Sequence, residues 1–397
     1  MLSARRRGSE LKRLGVAVPL LSLALTGACT RNPTVGVVLP ETGAVASYGA
    51  AIKSGVKLAF DDAVTSRLAQ AGVAVEYRDS CSDPVRGASE ADALYSSGAI
   101  AVIGGTTTAE ARAMIPVAAR RERVLISPSA SAPELAHLSP FFFRVFPSDE
   151  LEGVKAADFL THNLGVRSVL IVQEDNPYTR GLLPVFIGRL RTGGGTVSGS
   201  VNVREEGWET ALRQGLSASR PTGVYLCGYG DAITETLRIL RSVAYSGTIC
   251  TTSAISSATV LQRAGGLAEG VVFPLAGLDV TSKEEPVRSF ARRYYEAYKL
   301  FPDTYAAHGY DAALAVIYAL GATSRLTGLE LQRCLRGLGD KRGVTGVLSF
   351  DEFGNIDHLP SMHRIHDGKV EGCEDLAAPG EERSRQGRLG PLPGRAN

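Results

Sequence analysis

The sequence predicts an α/β protein of two doubly wound parallel-sheet lobes, and three observations carry that expectation. Short, nearly all-apolar β-branched runs alternate with amphipathic segments from residue 33 onward, the pattern of strands covered on both faces by helices. The alternation runs a second time after a break near Phe146-Pro147-Ser148-Asp149. Beyond an N-terminal segment of 28 residues, 369 of the 397 remain, enough for about two domains at roughly 150 residues each.

The N-terminal segment carries Arg5, Arg6, Arg7, Lys12 and Arg13, then the apolar run LGVAVPLLSLALT, then Gly27 and Ala28 before Cys29. This is the pattern of an export signal, because the apolar run falls short of the roughly 20 residues of a spanning helix. A signal anchor is the alternative. Without residues 1–28 the chain has 38 basic and 40 acidic residues, a net charge of about −2. The apparent basicity belongs to the signal, and nothing favours nucleic acid or an anionic surface as partner.

Strands are expected at 34–40, 73–79, 99–105, 124–128, 169–175, 197–203, 223–228, 247–253 and 270–275. Between them lie helical patterns such as Ile52, Val56, Ala59, Phe60 and Val64, which share one face at helical spacing. Helices at 289–301 and 304–323 and a hairpin-like stretch at 343–370 complete one or both lobes. The Gly- and Pro-rich end, 376–397, shows no apolar periodicity and reads as a disordered tail.

The stretch GGTTTAEARAMIPVAARRERVLISPSAS, residues 104–131, has threonines at one end and serines at the other. In a right-handed βαβ unit both strands point the same way, so the loops that follow them open on one sheet edge. Thr106, Thr107 and Thr108 are therefore expected beside Ser127, Ser129 and Ser131, with helices starting near Ala109 and at Pro133. Two helix N-termini and several hydroxyls around one point would form a cradle for an anion, most naturally a carboxylate. The plainer alternative is that Thr108 and Ser131 only cap their helices.

Catalytic motifs are sparse. Ser54-Gly55-Val56-Lys57 has SxxK spacing but sits in an amphipathic helix without a companion KTG, and no nucleotide-binding, GxSxG or HExxH motif occurs. Neither an enzymatic activity nor a cofactor is expected. His358, His363 and His366 lack the carboxylate spacing of a metal site and read as a strand face. Besides Cys29 there are Cys81, Cys227, Cys250, Cys334 and Cys373. Cys227 and Cys250 end successive strand candidates, which would suit either a disulfide or two buried thiols.

Several segments together resemble the type I periplasmic solute-binding proteins, in their leucine/isoleucine/valine-binding branch: VGVVLPETGAVASYGAAIKSGVKLAFDDA (35–63), the 104–135 stretch, FRVFPSDELEG (143–153), VLIVQEDNPYTRG (169–181) and TGVLSFDEFGN (345–355). The resemblance covers about 33–372. It implies lobes of 33–146 and 149–274, completed by about 277–343 and 346–372, joined by a hinge of three crossings near 146–149, 274–277 and 343–347. It also implies a ligand between the lobes, an ABC transporter permease as partner, and a monomer. Carried over by position, the carboxylate-binding groups fall on Thr107, Thr108 and Ser131 with backbone near Ser129 and Ala130, and the aromatic walls on Tyr48, Tyr178 and Tyr229. The segment LTGAC resembles a bacterial lipobox, with Thr26 in a usually aliphatic place and Cys29 as the lipidated residue.

Together these imply a lipid-anchored extracytoplasmic receptor for an amino acid or related small carboxylate, at the periplasm or cell surface. A sensing receptor of the same fold is the alternative. In the amino-acid-binding relatives an acidic residue meets the ligand's ammonium where this chain has Ser253. Either Asp175, Asp231 or Glu235 substitutes, or the ligand lacks the ammonium, and the second is the expectation.

Overall fold

The first sheet grows around β1 (Thr34–Leu39), a valine-rich run buried along almost its whole length. In the computed structural model, which describes residues 32–66, 72–278 and 282–376, β1 pairs in parallel with β2 (Ala74–Asp79) and β3 (Ala101–Gly104). β4 (Val124–Ser127) and β5 (Phe142–Arg144) extend the sheet in parallel to the order β2-β1-β3-β4-β5. The signal segment, Cys29 and residues 377–397 of the tail lie outside the described residues.

The connections are α1 (Ala46–Ser66), α2 (Pro84–Ser96) and α3 (Thr108–Arg121). On α1 the expected face is buried at Ile52, Val56, Ala59 and Phe60, whereas Val64, near the helix end, is exposed. The helix expected at Pro133 is only a five-residue 3₁₀ turn, Pro133–His137. β5 was not among the expected strands: Pro140 and Pro147 crowd FFFRVF, and three residues leave no measurable alternation.

The second sheet repeats that order. After α4 (Asp149–Asp158) come β6 (Ser168–Gln173), α5 (Pro177–Thr192), β7 (Thr196–Asn202), α6 (Trp208–Ser219) and β8 (Gly223–Cys227). α7 (Gly230–Ser242), β9 (Thr248–Thr251), α8 (Ala258–Ala264) and β10 (Val272–Leu275) follow. β7-β6-β8-β9-β10 matches β2-β1-β3-β4-β5 strand for strand. The sheet is not wholly parallel: β11 (Ser361–His366) and β12 (Lys369–Gly372) add an antiparallel hairpin beside β10.

Between β10 and β11 the chain returns to the first lobe as α9 (Glu285–Tyr298), α10 (Thr304–Ala322) and α11 (Gly328–Arg336). α10 lies directly on α1. A Cβ added at Gly55 would meet the Ala306 carbonyl at 1.9 Å, and one at Gly309 the Ile52 carbonyl at 2.4 Å, so two glycines let the backbones touch. The turn after α11 is held by Asp311, which accepts the N–H groups of Val344 and Thr345, both at 2.8 Å.

The third crossing falls later than the expected 343–347. Asn355 bridges Arg144 of β5 in parallel, and the Arg144 N–H donates to the Gly354 carbonyl. Residues 350–356 therefore stay with the first lobe, and the chain leaves between Ile356 and Ser361. At the second crossing Gly277 takes φ +106°, with the His308 ring 2.7 Å from where a Cβ would stand. Among the described residues no helix is long and apolar enough to cross a membrane.

Candidate functional site

Parallel pairing of β3 with β4 sets Ile103 beside Ile126, so the turns after both strands open on one edge. Two serines stitch those turns together: Ser127 Oγ donates to the Gly105 carbonyl at 2.8 Å, and Ser129 Oγ to the Thr106 carbonyl at 2.6 Å. The three threonines and three serines thus meet as the βαβ geometry requires.

Their roles divide unevenly. Thr107 is the N-cap of α3, its hydroxyl accepting the Glu110 N–H while the Glu110 carboxylate accepts the Thr107 N–H at 3.0 Å. Thr108 is therefore not a cap, and its buried hydroxyl, like that of Thr106, has no hydrogen-bond partner. Ser131 does not cap the following turn either, since Ala132 stands at that position without a side-chain bond. Ala130 drops out of the expected cradle: its N–H donates to Ser127 Oγ at 2.9 Å. The second helix terminus is absent as well, because one 3₁₀ turn has little dipole. One N-terminus and two orphaned hydroxyls remain.

Opposite this wall stand residues of the second lobe. Thr106, Thr107, Thr108, Ser129 and Ser131 enclose a chamber with Tyr48, Phe146 and Tyr305 on their own side and Tyr178, Tyr229, Ser253 and Ala254 across it. Its volume is about 30 Å³, where one enclosed water needs roughly 10–15 Å³. This closed form suits a small molecule. The rings are packed on one another, Tyr178 stacking on Tyr229 at 5.5 Å and Tyr305 meeting Tyr48 edge-on at 4.7 Å. Tyr48 also ties the lobes: its oxygen accepts the Gly230 N–H at 2.9 Å and donates to the Ala254 carbonyl at 3.3 Å.

None of the expected substitute carboxylates reaches this chamber. Asp175 and Asp231 line a separate outer vestibule of about 390 Å³. They pair there with Arg180 and Arg263, while Glu235 pairs with Arg238. The carboxylate that meets Ser253 is Glu152 of α4, which accepts the Ser253 N–H at 2.9 Å and its hydroxyl at 2.8 Å. Burial pushes the Glu152 carboxyl up to about 7, against the opposing pull of the Ser253 bonds and Tyr178. Asp149, one turn earlier on α4, is fully buried and raised well above the carboxylate range, by burial first and by the charge of Glu152 second. In sequence both read as ordinary first-turn acids behind the cap Ser148; only the packing of α4 turns them inward.

The remaining sequence candidates lie apart. Ser54 Oγ donates to the Ala50 carbonyl and Lys57 pairs with Asp61 at 2.8 Å, so serine and lysine do not meet. His358 bonds the Val347 carbonyl, and His366 meets Glu269 at 3.1 Å on the exposed hairpin. Cys227 and Cys250 are both free. β8–β9 register places Cys250 opposite Tyr225, two residues from Cys227, so the two cysteines are diagonal rather than opposed.

The profile of the periplasmic binding proteins matches residues 33–363. The chain belongs to that family. It is an extracytoplasmic solute-binding protein by membership, as the motifs implied. A Leu/Ile/Val-binding protein, BraC3, of Rhizobium johnstonii is 24% identical over 367 residues, covering 90% of this chain and 98% of its own. The branched-chain amino acid transporter substrate-binding protein LivJ of Streptococcus pneumoniae, solved with isoleucine, has TM-score 0.80 and 23% identity, covering 86% and 98%. A solute-binding protein of an ABC transporter from R. palustris, solved with benzoate, has TM-score 0.77 and 18% identity, covering 88% and 100%.

Proposed function

We propose that this chain captures an amino acid or related small carboxylate between its lobes and hands it to an ABC importer. The observation that supports this best is the pair of buried, unpartnered hydroxyls of Thr106 and Thr108 at the N-terminus of α3. Each would otherwise cost about 1–3 kcal/mol for nothing, and a carboxylate would satisfy both while meeting the helix dipole. The named ligands of the relatives, isoleucine and benzoate, each carry that group.

The cycle is hinge closure. A ligand seats on the threonine wall, and Tyr178, Tyr229 and Ser253 close on it, so its higher affinity for the closed form shifts the lobes together. Ligand affinity is tested by a melting panel of amino acids, their deaminated acids and benzoate. A hit at 100 times its Kd should stabilise the fold by about 2.7 kcal/mol; no response to any carboxylate would sink the reading. Cys29 is the proposed lipid anchor of a monomeric receptor. In a bacterial host Cys29→Ser should leave the membrane fraction or stay unprocessed, and a variant processed and retained like the parent would refute the anchor.

A further inference from the structure

Ser253 spends its hydroxyl proton on Glu152 Oε2 at 2.8 Å. The lone pairs of Ser253 Oγ are then what the serine offers the chamber it lines, with a carboxyl group directly behind. One helical turn away, Asp149 has neither oxygen in a hydrogen bond although it is wholly buried. The cation near this pair, Arg144, is committed elsewhere, with Nε on Asn355 Oδ1 at 2.8 Å and Nη1 on the Ala132 carbonyl at 2.9 Å. Two buried carboxyls with so little neutralisation cannot both be ionised cheaply, so at least one holds a proton.

We propose that Asp149 and Glu152 form the negative pole of the chamber, so that the ligand carries an ammonium group besides its carboxylate and displaces a proton from the pair when it binds. This rests on the carboxylate reading of the threonine wall and places the ammonium at the opposite end of the same molecule. It reverses the expectation of an ammonium-free ligand: the acid absent at position 253 is supplied from α4 through the Ser253 hydroxyl.

The surroundings of the pair leave the ligand as its partner. From β5 comes Arg144, from the 3₁₀ turn Glu134, and from α4 itself Glu150. From α5, β8 and β9 come Tyr178, Tyr225, Cys227 and Cys250, and Tyr229 and Tyr305 close the circle. Burial raises every one of these phenols and thiols, so they stay neutral and add no positive charge. Glu152 at about 7 puts the exchange near neutrality: the ligand trades its cation for the proton, and the proton leaves to solvent.

Calorimetry on the whole protein at about pH 6.5, in two buffers of different ionisation enthalpy, reads the exchanged proton directly. The probes are leucine and phenylalanine, each with its deaminated acid, 4-methylpentanoate or 3-phenylpropanoate, together with benzoate. Expected are at least about tenfold tighter binding of an amino acid than of its deaminated partner, release of up to about one proton, and affinity rising up to about tenfold per pH unit below the plateau. Glu152→Gln should narrow the ratio about tenfold and abolish the release, with deaminated-acid binding held. Should that variant not fold, the proton count on the unmodified protein decides. Equal binding of both partners, binding without proton release, or equal weakening of both by Glu152→Gln overturns the inference alone. No binding by any probe overturns the carboxylate reading, and the inference with it.

Discussion

The phenol oxygen of Tyr48, on the first lobe, accepts the backbone N–H of Gly230, on the second, at 2.9 Å. A Cβ at Gly230 would stand 3.2 Å from that oxygen and 2.5 Å from Val260 Cγ2, so the absence of a side chain is part of the latch. Such a bond is worth about 0.5–1.5 kcal/mol. Tyr48→Phe should therefore weaken ligand binding about 2- to 12-fold through a less stable closed form. Isothermal calorimetry against any hit of the melting panel checks this, and unchanged affinity would remove the latch.

Thr107 and Thr108 are adjacent yet should fail differently. Thr107→Ala breaks the capping box with Glu110 and should cost about 0.5–2 kcal/mol of stability, with a small effect on affinity. Thr108→Ala removes a hydroxyl that has no partner in the fold, so melting should hold while affinity for a carboxylate falls about 10- to 100-fold, the worth of a charged hydrogen bond. The two variants swapping these phenotypes would reverse the assignment.

His308 sits fully buried at the hinge, its Nδ1 2.7 Å from the Thr304 carbonyl and its ring against Phe146 at 4.6 Å. Burial lowers it to about 3, so the fold holds the neutral ring. The resulting stability is present above the unfolded value near 6.5 and lost as pH falls through the window toward 3, by about 1.4 kcal/mol per unit. Asp311, raised to about 6 by burial, works the other way and gains stability on acidification. The His308 share is read by comparison: between about pH 7.5 and 5.5 the parent should lose about 1.4 kcal/mol more than His308→Gln. Parallel melting curves for the two would contradict it.

All five described cysteines are free, with Cys227, Cys250 and Cys373 buried. A Cys29→Ser variant unfolded without reductant should therefore present five reactive thiols to a thiol reagent. Three would mean an internal bridge.

The repeat of strand and helix, the edge on which the threonine and serine turns meet, and the family all follow from the sequence alone, because period and strand direction are local properties that fix which loops share an edge. Thr108 was legible as a site residue for that reason, and Tyr48, Tyr178, Tyr229 and Ser253 by resemblance. The tertiary structure alone decided what those local rules leave open. Thr107 rather than Thr108 caps α3; β5 exists because Asn355, 211 residues further on, bonds its Arg144; and the third crossing waits for that contact. Glu152 is the clearest instance. Its sequence context is that of a solvated first-turn acid, and its partner Ser253 lies 101 residues away. Whether a helix turns such a carboxylate toward water or toward a ligand depends on which sheet it packs against, and that is a relation between distant segments that no periodicity encodes.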